Sequence, residues 1–251
     1  MGIIIKTKEE IEIMREGGQK LAKVKDKLKE EIRPGVVPLE LDRMAEGLIL
    51  EEGGKPSFKT VKNYYWTTCI NRNDGVVHGV PDNKPIEKGD IVSLDIGILY
   101  KGFHTDASFT VPVGEVRDET KRFLRAGEEA VEASIKEARV GKKVSHISKA
   151  MQEVLERYGY TPSRDLTGHG VGRALHEEPM IPCFWDGSLS EDIPIKVGMT
   201  LALEAIYMAG KPDIIVSKED GWTISTRDGK IAGLFEETVA VTDKGPLLLT
   251  A

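Results

Sequence analysis

Apolar positions along the 251-residue chain follow two rhythms that alternate. Ile11, Met14, Leu21 and Leu28 fall at helical spacing, and Thr7-Lys-Glu-Glu10 ahead of them has the form of a capping box, so a helix is expected up to Pro34-Gly35. Leu41, Met44, Ala45 and Leu48 predict a second helix over about 39–52, stopped by Gly53-Gly54. A third opens at Asp118 with Phe123, Ala130, Val131 and Ile135 inward, and a fourth covers about 145–158. Between these pairs the rhythm changes to period two. Val92, Leu94, Ile96 and Ile98 alternate with Ser93, Asp95, Gly97 and Leu99, and Phe103, Ala107, Phe109 and Val111 continue the alternation beyond Lys101-Gly102. This is a β-hairpin with one buried face. The remaining chain to Ala251 is glycine-rich and extended.

The hairpin carries chemistry. A turn centred between Tyr100 and Lys101 would set Asp95 directly opposite Asp106, with β-carbons about 5 Å apart. Facing like charges destabilise a sheet, so the pair reads either as a solvated face or as two ligands of a bridging cation. Ser93, Gly97 and Ser108 leave room for one.

The order of elements also conceals a repeat. A shift of 106 carries Glu31, Arg33, Gly35, Gly53, Pro56 and Ser57 onto Glu137, Arg139, Gly141, Gly159, Pro162 and Ser163. A shift of 109 carries Pro85-Ile86, Gly89, Leu94 and Asp95 onto Pro194-Ile195, Gly198, Leu203 and Glu204. Each half is therefore helix, glycine turn, helix, then a strand entered through P-I-x-x-G and ending in an acid. A two-fold arrangement would bring both acids to one central site, on a sheet shared by the halves with helices packed outside it.

Composition narrows the classes. The net charge of −6 argues against nucleic-acid binding, which normally shows as a basic excess. No run approaches the length of a membrane span, and the N-terminus has no signal-peptide core. Cys69 and Cys183 suit reduced thiols in a cytoplasm, with a single disulfide as the alternative. Lys20, Lys23, Lys25, Lys27 and Lys29 read as a solvated helix face.

Two further acids and two histidines remain. Gly168-His169-Gly170-Val171-Gly172-Arg173-Ala174-Leu175-His176-Glu177-Glu178-Pro179 is too rich in glycine for a helix and reads as an extended segment. Glu236-Glu237 follows Phe235 in a strand ending at Val241. Alone, each of these is more simply a satisfied histidine or an exposed acid pair.

Together they resemble the type I methionine aminopeptidases of the pita-bread metallopeptidase superfamily. The resemblance rests on Asp95 and Asp106 in the hairpin, GHGVGRALHEEP, Leu-Glu204-Ala and Phe-Glu236-Glu-Thr-Val-Ala-Val-Thr, and it spans essentially the whole chain. It implies an α+β pita-bread fold, a pseudo-two-fold antiparallel sheet with helices on its outer face, as one catalytic domain over 1–251 whose halves are about 1–112 and 113–251. It implies metal ligands Asp95, Asp106, His169, Glu204 and Glu236, holding two divalent ions of manganese, iron, cobalt or zinc. His78 would contact the substrate backbone and His176 the scissile carbonyl oxygen. Glu204 would also move the proton of a metal-bridging hydroxide, and Tyr64, Cys69 and Trp222 would line the methionine pocket. Substrates would be the N-termini of nascent chains and peptides with a small second residue, met by a cytoplasmic monomer beside the ribosome, without DNA or membrane.

The chain departs from the family pattern at Ala205, where proline usually stands, at Glu237, where histidine is common, at Leu175, often aromatic, and at Phe58, often smaller. These bear on pocket shape. Three rivals share the scaffold: an Xaa-Pro aminopeptidase or dipeptidase, a metal-free relative such as creatinase, and a non-catalytic binding protein.

Overall fold

The computed structural model describes residues 2–187 and 192–251. Helix α1 spans Lys8–Glu31 and α2 Pro38–Glu51; α3 is Asp118–Glu137 and α4 Val144–Tyr158. Strands of the first half are β1 (Lys55–Pro56), β2 (Thr68–Arg72), β3 (Gly75–Val77), β4 (Ile91–Tyr100) and β5 (Phe103–Pro112). Those of the second half are β6 (Thr161–Pro162), β7 (Thr167–Gly170), β8 (Glu177–Pro182), β9 (Thr200–Met208), β10 (Ile214–Val216), β11 (Ile224–Thr226), β12 (Ala232–Thr242) and β13 (Gly245–Leu248).

The main sheet runs β1-β4-β5-β12-β9-β7-β8, and neighbouring strands along it pair antiparallel. Its centre reads β4-β5 against β12-β9, so the hairpin of one half lies beside its counterpart from the other. Each half buries its own core between helices and sheet. Leu21, Leu28, Leu41 and Ile49 pack on Leu94, Ile96 and Ile98 in one. Phe123, Ala130, Ile147 and Leu155 pack on Leu203, Tyr207 and Val239 in the other.

The capping box at α1 forms as expected, with the Glu10 amide donating to Thr7 Oγ1 at 3.2 Å and the Thr7 amide donating to Glu10 Oε2 at 2.8 Å. Two glycines within helices mark where helix meets sheet. A β-carbon on Gly18 would fall 2.2 Å from the Leu249 carbonyl oxygen, and one on Gly127 of α3 would fall 2.3 Å from the Phe235 ring. A mid-helix glycine costs about 1 kcal/mol in propensity, which the closer approach of helix to sheet offsets. Gly18 and Gly127 are 109 positions apart, the same shift that relates Asp95 to Glu204.

The hairpin register differs from expectation. Lys101 and Gly102 form the two-residue turn, with φ of 47° and 85°, and Tyr100 pairs with Phe103. A two-residue loop matches strand twist when both central residues are left-handed, and Gly102 suits the second position. Asp95 consequently faces Ser108, and Asp106 faces Gly97. The two aspartates share a face as diagonal neighbours rather than as a direct pair. The lysine face also has an exception, because Lys25 is half-buried and donates to Glu237 Oε1 at 2.7 Å and to the Thr250 carbonyl at 3.1 Å.

Candidate metal centre and its pocket

Five neighbouring strands each contribute one candidate ligand. In sheet order these are Asp95 on β4, Asp106 on β5, Glu236 on β12, Glu204 on β9 and His169 on β7. Residues opposite each other in antiparallel strands point to the same face. Asp95 opposes Ser108, Ser108 opposes Glu236, and Glu236 opposes Glu204, forming one row across four strands. Asp106 lies two residues from Ser108, and His169 opposes Ala202, two residues from Glu204. Strand parity alone therefore sends all five side chains into the same space.

Glycine lets β7 come close enough. A β-carbon on Gly168 would lie 2.5 Å from the Ala202 carbonyl oxygen, and one on Gly170 2.4 Å from that of Glu178. His169 Nδ1 lies 2.8 Å from the Gly170 carbonyl oxygen, which places the proton on Nδ1 and leaves Nε2 bare, 3.6 Å from Glu204 Oε1. Ligand atoms of Asp106, His169 and Glu236 all lie within 4.8 Å of one another. Thr238 holds Asp106 by its backbone, accepting from its amide at 2.9 Å and donating to its carbonyl at 2.8 Å. The Cys183 thiol donates to the Glu204 carbonyl at 3.1 Å. Cys69 and Cys183 are both buried free thiols, so the disulfide alternative does not occur.

Electrostatically the cluster is unstable as bare carboxylates. Burial pushes Asp106 up to about 7. Asp95, Glu204 and Glu236 rise well above the carboxylate range through burial first and mutual repulsion second. Among the described residues no lysine or arginine lines the cavity. Asp95 Oδ1, Glu236 Oε1 and Ser108 Oγ are buried without a hydrogen-bond partner. Orphaned acceptors and convergent acids with a bare imidazole nitrogen fit divalent cations of the hard or intermediate kind. Burial lowers His169 to about 4, so it is the neutral ligand form near pH 7.

The floor opens into a cavity of about 160 Å³ whose lining includes all five of these residues together with Tyr64, Cys69, His78, His176 and Trp222. Tyr64 and Trp222 meet edge to face at 5.2 Å, and Trp222 meets His78 at 6.4 Å. The Tyr64 hydroxyl donates to the Thr68 carbonyl at 2.8 Å, with Cys69 Sγ 3.2 Å away, and burial raises both their pKa values. Phe58 and Leu175 complete the wall as the departures in sequence foretold, whereas Val61 and Val77 carried no signal beyond being apolar. His78 has φ of 56°, a left-handed backbone unusual outside glycine. His176 packs edge-on against His169, centroids 4.5 Å apart. Withdrawal from water lowers the pKa of both His78 and His176.

One supporting residue escaped the sequence reading. Asp42 lies on the inner face of α2, where a single oxygen accepts from the Thr67 amide at 2.9 Å, the Thr68 amide at 2.9 Å and the Thr68 hydroxyl at 2.8 Å. It anchors the start of β2, hence Cys69 and the residues flanking Tyr64. An acid between Leu41 and Ala45 on an apolar stripe was the available signal.

Such a floor, four acids and a histidine on adjacent strands of a two-fold sheet, is that of a metallopeptidase. The chain belongs to metallopeptidase family M24, whose model matches residues 12–243, and it has the family's pita-bread fold. It is 39% identical over 248 residues to the methionine aminopeptidase of Clostridium perfringens, covering 99% of this chain and 98% of that one. It is similar to the crystal structure of methionine aminopeptidase from Thermotoga maritima, with a TM-score of 0.95, 36% identity and 99% of both chains covered. A prolidase from Pyrococcus furiosus shares the fold at a TM-score of 0.80 and 28% identity, with 65% of its length covered.

Proposed function

We propose that the chain is a methionyl aminopeptidase, removing the N-terminal methionine from nascent polypeptides and peptides with a small second residue. The observation that carries this reading is the junction of a floor of four acids and a histidine with a cavity walled by Tyr64, Trp222 and Cys69. Methionine is long and unbranched, and its sulfur gains about 0.3–1.5 kcal/mol from each aromatic edge it meets.

Asp95, Asp106, His169, Glu204 and Glu236 would hold two divalent ions, drawn from manganese, iron, cobalt or zinc. Such ions polarise a carbonyl and lower the pKa of water towards neutrality. The protein's own residues do the rest. Glu204, whose raised pKa suits proton transfer near pH 7, takes the proton of the attacking water. As the water oxygen bonds to the carbonyl carbon and the C–N bond breaks, that proton passes to the departing amine. His176, neutral because its pKa is lowered, donates an N–H to the oxygen as charge develops there. His78 orients the substrate backbone from the opposite rim. The whole chain then works as one catalytic domain and a monomer. Buried free thiols at Cys69 and Cys183 suit a cytoplasmic setting, and work beside the ribosome is part of the same proposal; no described helix is long and apolar enough to cross a membrane.

The deciding experiment is cleavage of Met-Ala-Ser and Met-Gly peptides in added Mn²⁺, Co²⁺ or Fe²⁺, with a chelator control and an Xaa-Pro peptide alongside. Release of methionine that stops on chelation is the expected result. A preference for Xaa-Pro would reassign the chain to the prolidase branch.

A further inference from the structure

The loop from Val171 to His176 joins β7 to β8, which opens on Glu177, so the His176 ring is only as well placed as this loop. Among the described residues no hydrogen bond holds the ring itself, which lines the cavity edge against His169. Its chain neighbour is held differently. Glu177 Oε2 accepts an ion pair from Lys6 Nζ, and the two side chains are only 2% and 3% exposed, Lys6 first. Glu177 Oε1 accepts from the Ala174 amide at 3.1 Å, closing the loop on itself.

Lys6 comes from the arm ahead of α1, 171 positions away in sequence. Its ammonium also donates to the Ile4 carbonyl at 3.3 Å, and its amide to the Gly198 carbonyl at 2.8 Å. Gly172 passes so close that a β-carbon there would lie 2.3 Å from Lys6 Cε. The Gly172 carbonyl accepts from the His104 amide of β5 at 2.7 Å. The loop is thus strapped between the arm and the strand that carries Asp106.

A buried ion pair is weak evidence for stability, because desolvating both ions cancels most of their attraction. What it supplies is direction. With one oxygen on the ammonium and the other on the Ala174 amide, the Glu177 carboxylate ties the loop that carries His176 both to the N-terminal arm and to itself.

We propose that Lys6 is a positioning residue for the reaction, holding His176 in place through Glu177 from the opposite end of the chain. This rests on the reading of His176 as the donor to the carbonyl oxygen. Lys6→Met removes the ammonium and keeps the stem. It is expected to lower kcat on Met-Ala-Ser about 10- to 100-fold, the scale of an ångström-sized misplacement, with KM and bound metal unchanged. In a His176→Ala background the same substitution is expected to change kcat less than about twofold, since the residue it positions is gone. The NMR signals of the His176 ring should shift in Lys6→Met while those of exposed His146 do not. Equal losses in both backgrounds, or an unchanged kcat with unshifted His176 signals, would overturn the proposal. Should Lys6→Met not fold, Glu177→Gln removes the charge yet keeps an acceptor for the Ala174 amide; the same coupling to His176→Ala is expected, and additive losses overturn it. The NMR arm needs no substrate. A wild-type chain inactive on Met-Ala-Ser whose His176 signals still move in Lys6→Met would sink the aminopeptidase reading and uphold the positioning.

Discussion

The floor and the wall of the cavity are built on different principles. The floor is five side chains on five hydrogen-bonded strands, where parity and pairing determine direction. The wall is drawn from the 3₁₀ turn at Phe58–Thr60, the segment around Tyr64, the left-handed corner at His78 and the loop bearing Trp222. A sheet spreads any one loss over its neighbours, whereas a loop depends on a few anchors such as Asp42 and Asp220, the latter accepting from the Trp222 amide at 2.7 Å. Damage to the floor should therefore abolish chemistry and cation binding together. Damage to the wall should alter selection and leave the cation site intact.

The largest expected effect breaks the floor. Asp106→Ala or Glu236→Ala should lose metal and activity in parallel, because each removes an oxygen from the proposed cation site. His176→Ala, at the edge of the floor, should retain metal while kcat falls about 10²- to 10³-fold, as for loss of one donor to a developing oxyanion. Metal analysis beside kinetics checks this, and proportional metal loss in His176→Ala would make that histidine a ligand.

Next comes the metal-free protein. Asp106 moves from an ordinary 3.8 to about 7, so the native state keeps a proton that the unfolded chain releases between those values. Native binding of the extra proton makes stability fall as pH rises across that window. Three units correspond to roughly 4 kcal/mol, and the raised Asp95, Glu204 and Glu236 extend the fall to higher pH. After chelation the Tm should be higher at pH 5.5 than at pH 8. Restoring a divalent cation should cancel the difference, with about 4 kcal/mol of stabilisation at a thousandfold excess over Kd. A chelated protein equally stable at both pH values would show that the four acids do not carry the burden assigned to them.

Trp222→Ala tests the wall. It deletes one edge against Tyr64 and another against His78. A methionine sulfur would lose one aromatic contact of about 0.3–1.5 kcal/mol, so kcat/KM for Met-Ala-Ser should fall up to roughly tenfold with metal content unchanged. Discrimination between Met-Ala and Leu-Ala should narrow at the same time.

The same division decides what could be read from sequence. Period-two alternation reveals which face a residue occupies, so Asp95 and Asp106 could be placed on one side of the hairpin, whereas Glu236 came from the family resemblance. The repeat relates Asp95 to Glu204 and points both acids to one site. Alternation does not reveal register, which here follows from the backbone angles of Lys101 and Gly102, and the expected direct pairing of Asp95 with Asp106 was wrong by that margin. Nor does it reveal partners far apart in sequence. Lys6 with Glu177, Lys25 with Glu237 and Asp42 with Thr67-Thr68 each join segments whose approach only the folded sheet defines. Roles for His78, His176 and the pocket residues came from family resemblance, because an isolated histidine or tryptophan in a loop has no periodicity to betray it.

Asp42 permits the mildest test of the comparison. Its single oxygen accepts three hydrogen bonds, and burial raises its pKa despite them, so the charge is held at some cost. Asp42→Asn keeps a carbonyl oxygen in nearly the same place while making it a weaker acceptor. Hydrogen bonds to a charged group contribute about 1.5–3 kcal/mol against about 0.5–1.5 for neutral ones, but the amide avoids the desolvation of a carboxylate. The net loss should be about 1 kcal/mol or less, seen as a few degrees in Tm. Asp42→Ala, leaving two amides and a hydroxyl unpaired, should cost several times more and loosen β2 beneath Cys69 and the Tyr64 ring. In that variant KM for Met-Ala-Ser should rise before kcat falls, and metal content should hold, because β2 supplies wall and none of the five floor residues. Loss of metal in Asp42→Ala would mean that β2, paired along Asp95 through Cys69, braces the floor as well, and the two regions would have to be treated as one.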